Sequence, residues 1–166
     1  YINIKKTGNV AVANKQWCTG TNGNGTCYNH STDYTKGGTD GTAATHFCDA
    51  RNGDCTVNLY VNWRGNVCTI NFNPNGGSFG TNSGNRVQTI TYGNRVNDFW
   101  NANGGTYSAK RSGYHADAAS AWILSGGSKT FNETAGYNAT DVCSNLANGD
   151  QTVTLNVNWK VNVCIS

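Results

Sequence analysis

An internal repeat constrains this chain more than any other feature. Residues 49–68 read DARNGDCTVNLYVNWRGNVC and residues 145–164 read NLANGDQTVTLNVNWKVNVC. At an offset of 96 residues, 12 of the 20 aligned positions are identical, including Trp63 with Trp159 and Cys68 with Cys164. A second match places NKQWCTGTNGNGTCYN, around Trp17, on ASAWILSGGSKTFN, around Trp122. Tyr1-Ile2-Asn3-Ile4 lines up with Thr69-Ile70-Asn71-Phe72. Repeats of this length mean tandem modules, each one supersecondary unit. The first runs over 1–66, shortened, and the second over 67–166, complete. Tandem modules serve reach, display or assembly more often than chemistry.

Alternation assigns the secondary structure. In Thr152–Trp159 apolar and polar residues alternate strictly, which puts Val153, Leu155, Val157 and Trp159 on one face of a strand. Val57, Leu59, Val61 and Trp63 repeat the pattern. Val67–Phe72 and Val87–Tyr92 read as further strands, with turns at Asn75-Gly76-Gly77 and Tyr92-Gly93-Asn94. The Ala-rich segment His115–Leu124 predicts a helix, as does its counterpart Val10–Trp17, and Val142–Leu146 predicts a helical turn. Each module is then a short mixed sheet with one short helix packed on it, in a mainly β (α+β) fold. The recurring Trp17, Trp63, Trp122 and Trp159 are expected in the cores, with Trp63 and Trp159 largely buried.

Seven Cys in 166 residues, with no CxxC and no paired His, match no zinc spacing and predict disulfides in an extracellular setting. Cys18 and Cys27 flank a Gly/Asn-rich loop, and Cys48 and Cys55 flank DARNGD, so each pair is a local staple. Cys68, Cys143 and Cys164 remain, and three cannot all pair. A Cys68–Cys143 bond would tie the first strand of the second module to the segment before its last strand. Cys164 would then bond outside the chain or stay free. The alternative pairs Cys164 with Cys143.

The rest of the composition excludes. A net charge of +3 with 13% charged residues is too weak and scattered for a nucleic-acid footprint. No apolar stretch reaches the length of a membrane span. Without Met, Tyr1 is not a translation start, so a leader has been removed or the chain is part of something longer. His30, His46 and His115 come with no Ser/His/Asp order and no paired carboxylates, so they read as solvated loop residues and the chain as no enzyme. Asp49, Asn52 and Asp54 echo a calcium loop but lack its terminal Glu, so a hairpin turn is the reading. No metal and no cofactor is expected. Phe99-Trp100 has no copy in the first module and lies between polar turns, which makes the pair a possible ligand contact.

The ordered set NFNPNGGSFG (71–80), TITYGNRV (89–96), RSGY (111–114), Trp122 with Gly126-Gly127, and VTLNVNW (153–159) resembles the InlB B-repeat, or Listeria–Bacteroides repeat. That resemblance implies β-grasp-like modules of bacterial surface proteins, acting as stalks or as weak ligands for host proteins or glycans. Here Tyr114 and Trp122 stand eight apart, Ala121 precedes the Trp, and His115-Ala116-Asp117 replaces the family's aromatic stretch. The expected function is therefore an extracellular structural or adhesive module, partnered by further copies or neighbouring repeats and by a host-surface protein or glycan. Two rivals are a filament or pilus subunit, joined by strand pairing or disulfides, and a carbohydrate-binding module.

Overall fold

The computed structural model describes residues 4–29, 56–96, 108–133 and 136–165. They pack as two compact units. The short unit is Val10–Arg64; the long unit is Gly65–Ser166 together with Tyr1–Asn9. Both are mainly β.

In the short unit, β1 (Asn9–Ala11) pairs with β5 (Trp63–Gly65), and β2 (Trp17–Cys18) lies between β3 (Cys27–Tyr28) and β4 (Tyr60–Val61). The long unit has β6 (Val67–Asn73), β7 (Arg86–Thr91), β8 (Arg95–Val96), β9 (Tyr114–Ala116) and β10 (Trp122–Leu124). These are followed by β11 (Thr130–Phe131), β12 (Tyr137–Asn138), the helix α1 (Ala139–Val142), β13 (Gln151–Val157) and β14 (Trp159–Val161). Its main sheet runs β11-β10-β13-β6-β7. The central pair β6–β13 is parallel, with Ile70 beside Val153 and Phe72 beside Leu155, and the other pairs are antiparallel. Two ribbons, β8–β12 and β9–β14, complete it.

Period-two patterning explains the sheet. Along β6 every second residue, Cys68, Ile70 and Phe72, is fully buried, as are Leu155 and Val157 of β13. The core closes on Trp122, which has no exposed surface and meets Phe72 edge-to-face at 5.0 Å between ring centroids. The helix α1 starts where the Asp141 carboxylate accepts from the Asn138 backbone N–H at 2.8 Å, half of a reciprocal cap. It buries Ala139 and Val142 and delivers Cys143 to Cys68. The Asn75-Gly76-Gly77 turn is held by the Asn75 side-chain amide, which donates to the Val157 carbonyl at 3.0 Å. Gly77 is required there, since a Cβ would lie 2.6 Å from both the Trp159 ring and the Lys110 carbonyl.

The repeat is a repeat of register. Trp122 pairs with Phe131 on one side and Val157 on the other; Trp17 pairs with Tyr28 and Val61. Backbone hydrogen bonds recur one for one. Asn62 N–H donates to Gln16 and Asn158 N–H to Ala121, each at 2.8 Å. Val12 donates to Asn62 as Asp117 does to Asn158, and Thr19 to Thr26 as Leu124 does to Lys129.

Three expectations are corrected. His115–Leu124 is not a helix but β9 and β10 around a turn, and Val10–Trp17 is likewise parts of β1 and β2 around a turn. The reason is local: the Asp117 carboxylate accepts from the backbone N–H groups of Ala119 and Ser120 at 3.1 and 3.0 Å, a turn that competes with the helix. In the counterpart, Asn14 adopts φ 62° and Lys15 N–H closes on the Val12 carbonyl. Second, the Thr152–Trp159 strand breaks at Asn158, so Trp159 belongs to β14 and the row ends at Val157. Third, Trp63 and Trp159 are half-buried, because they sit in the two-stranded ribbons rather than the main sheet. The expected strand Tyr1–Ile4 falls mostly outside the described residues; Ile4 itself is not in a strand and is 38% exposed.

Candidate functional site

The structure assigns chemistry to the cysteines first. Cys18 is bonded to Cys27 across β2–β3, with Cα atoms 4.0 Å apart. Cys68 is bonded to Cys143 with Cα atoms 5.8 Å apart, tying the start of the central strand to the end of α1. Among the described residues Cys164 is the free thiol, and it is exposed. Cys48 and Cys55 lie outside the described residues, as do Phe99, Trp100, His30, His46 and the Asp49–Asp54 turn.

The first repeat ends in a built junction. Asn66 is 1% exposed, and its side-chain amide donates to the Leu146 carbonyl at 2.7 Å. Its backbone N–H donates to Gly8 and its carbonyl accepts from Tyr92 N–H. Next to it, Val67 N–H donates to the Asp150 carboxylate at 2.8 Å. Asp150, kept from DARNGD to NLANGD, thus pins the start of β6. These bonds and the Cys68 disulfide fix the start of the central strand β6.

The second repeat ends with the same residue types in a different setting. Asn162 N–H donates to the Gly113 carbonyl at 2.9 Å, the counterpart of the bond from Asn66 to Gly8. Beyond that the likeness stops. Asn162 Oδ1 lies 2.7 Å from His115 Nδ1, and the segment continues as a bare row of apolar side chains. Val161, Val163 and Ile165 are 63%, 79% and 89% exposed. Sequence reasoning singled out Cys164 here but missed its apolar neighbours, although their alternation was readable.

Two shallow grooves flank these features. In the long unit, one of about 420 Å³ is lined by Lys110, Arg111, Tyr114, His115 and Trp159, among others. The Arg111 guanidinium stacks 3.8 Å from the Tyr114 ring centroid. The Trp159 indole N–H is used internally, donating to the Pro74 carbonyl at 2.9 Å. The groove therefore offers an aromatic and cationic face, with Ser112 and His115 also on its lining. The short unit carries the other, polar and open, beside Cys27 and Asn62. No group of three potential metal-ligating side chains exists among the described residues. No helix among them is long and apolar enough to cross a membrane. No family model matches the chain, and neither does any curated protein or solved structure.

Proposed function

We propose that this chain is an extracellular, non-catalytic repeat segment of a bacterial surface protein, acting as a stalk or a weak adhesive module. One observation carries the reading: two units build the same strand trio in the same register, which is how serially repeated modules are made. The disulfides support an oxidising setting, where such bonds persist. The resemblance of the ordered motifs to InlB B-repeats favours a bacterial surface. Partners on this reading are neighbouring copies and a host-surface protein or glycan. Protease shaving of intact source cells tests it. Peptides of this chain released before lysis support the reading, and recovery only from the reduced cytosolic fraction overturns it.

A second reading, glycan binding, draws on the groove of Arg111, Tyr114 and Trp159, since aromatic faces and a guanidinium suit sugars that carry acidic groups. A glycan array read with Tyr114→Ala and Arg111→Ala tests it; signals unchanged in both variants remove the groove from consideration.

A further inference from the structure

We infer that the segment Val163–Ile165 of one copy adds as a parallel strand, in a second copy, to the edge of residues 56–61 that carries no strand among the described residues. The inference rests on the repeat-module reading above and names the partner surface. The acceptor is visible by comparison. Residues 55–61, CTVNLYV, are the counterpart of β13, QTVTLNV, with the same alternating apolar row. In the long unit all seven residues form a strand, because β6 lies along one edge and β10 along the other. Of the counterpart segment in the short unit, only Tyr60–Val61 forms a strand among the described residues. There β4 pairs with β2 and carries no strand on its other edge among the described residues. Val57 is 36% exposed and Tyr60 41%. An unpaired edge with exposed apolar side chains is a template for strand addition.

The occupant is indicated by the long unit itself. There the edge of β13 is filled in parallel, Ile70 beside Val153 and Phe72 beside Leu155, and both β6 residues are fully buried. Val57 and Leu59 stand 96 residues before Val153 and Leu155. The edge therefore calls for two large apolar residues spaced by two on an exposed extended segment. Val163 and Ile165 meet that requirement, at 79% and 89% exposure, and Asn162 already continues the ladder of β14. Because register follows the apolar face, Val163 goes beside Val57 and Ile165 beside Leu59. Cys164 then occupies the place of Asn71 on the opposite face, so its thiol stays free and no disulfide is needed. The contact joins different surfaces of the two copies, so assembly is head-to-tail.

Sedimentation of the whole chain carrying Cys164→Ser, over a wide concentration range, tests this without disulfide cross-links. The expected result is reversible association, with slowed amide exchange at residues 56–61. Ile165→Lys, at an exposed position that leaves the fold intact, is expected to weaken association about tenfold or more, the factor for one buried aliphatic side chain. Val57→Lys, on the acceptor, is expected to do the same. A monomer at every concentration overturns the inference, and so does association indifferent to Ile165→Lys. A monomer leaves the surface-module reading standing, since only the location of the chain on cells decides that.

Discussion

The two copies of the strand trio share register and hydrogen bonds yet are held by different means. In the long unit the trio β11-β10-β13 is backed by β6 and β7, and Trp122 reaches zero exposure against Phe72. In the short unit the trio β3-β2-β4 has no such backing among the described residues, and Trp17 is only half-buried. Where the long unit pairs Ile123 with Thr130, the short unit pairs Cys18 with Cys27 and bonds them. At this one rung the long unit relies on packing and the short unit on a covalent bond, although each unit carries a disulfide. Register is thus set by the local motif, while the source of stability is interchangeable. A thin module with little apolar area to bury has more need of the staple.

Four measurements break or sharpen that contrast. The largest effect is expected for Trp122→Ala, about 5 kcal/mol, because the whole indole leaves a closed core. Trp17→Ala at the matching position should cost clearly less. Chemical denaturation followed by far-ultraviolet dichroism compares them, and equal losses would erase the difference between the copies. Next come the disulfides. Chain entropy gives about 4.5 kcal/mol for closing the Cys68–Cys143 loop and about 2.7 kcal/mol for Cys18–Cys27. Paired Cys→Ser variants should lower the melting temperature of the long unit more in free energy, yet unfold the short unit outright. A short unit that keeps its exchange-protected amides without Cys18–Cys27 would show that burial suffices there too. Gly77→Ala is expected to cost roughly 1–3 kcal/mol, since the added methyl meets Trp159 and a backbone carbonyl at once. The loss should register as a shift in Trp159 emission. Smallest is Asp150→Ala, at about 1 kcal/mol for the bond to Val67 N–H, read as faster amide exchange at that residue.

Much of this architecture was legible because the signals were local. Alternation over Val67–Phe72 marked β6 to within a residue, while that over Thr152–Trp159 found β13 but overran its end by two, and spacing alone paired Cys18 with Cys27. What failed was anything decided by partners distant in sequence. Alternation identifies a strand but not its neighbour, so the parallel pairing of β6 with β13 could not be read from either segment. The Ala-rich run before Trp122 looked helical because propensity outweighed one Asp; in the fold, Asp117 turns the chain so that Trp122 can stand between two strands. Trp159 looked buried because the row of apolar residues passes through it without a break, whereas Asn158 spends its backbone groups on Ala121 and Asp117. The candidate site was half visible. Cys164 stood out as the leftover thiol, while the significance of Val163 and Ile165 needed the occupied edge of β13 for comparison.

The parallel central pair also decides how the long unit carries load. The strands β6 and β13 lie side by side and run the same way, so the start of β6 and the end of β13 stand at opposite ends of the pair. A force applied to the start of β6 and the end of β13 slides these strands past each other and strains the six rungs, Cys68–Gln151 to Asn73–Asn156, together, with the Cys68–Cys143 bond bridging the end where β6 begins. An antiparallel pair at the same place would peel open one rung at a time. Rupture in the sliding geometry must cross a single high barrier, so the unit resists force through slow unfolding rather than through a large equilibrium stability.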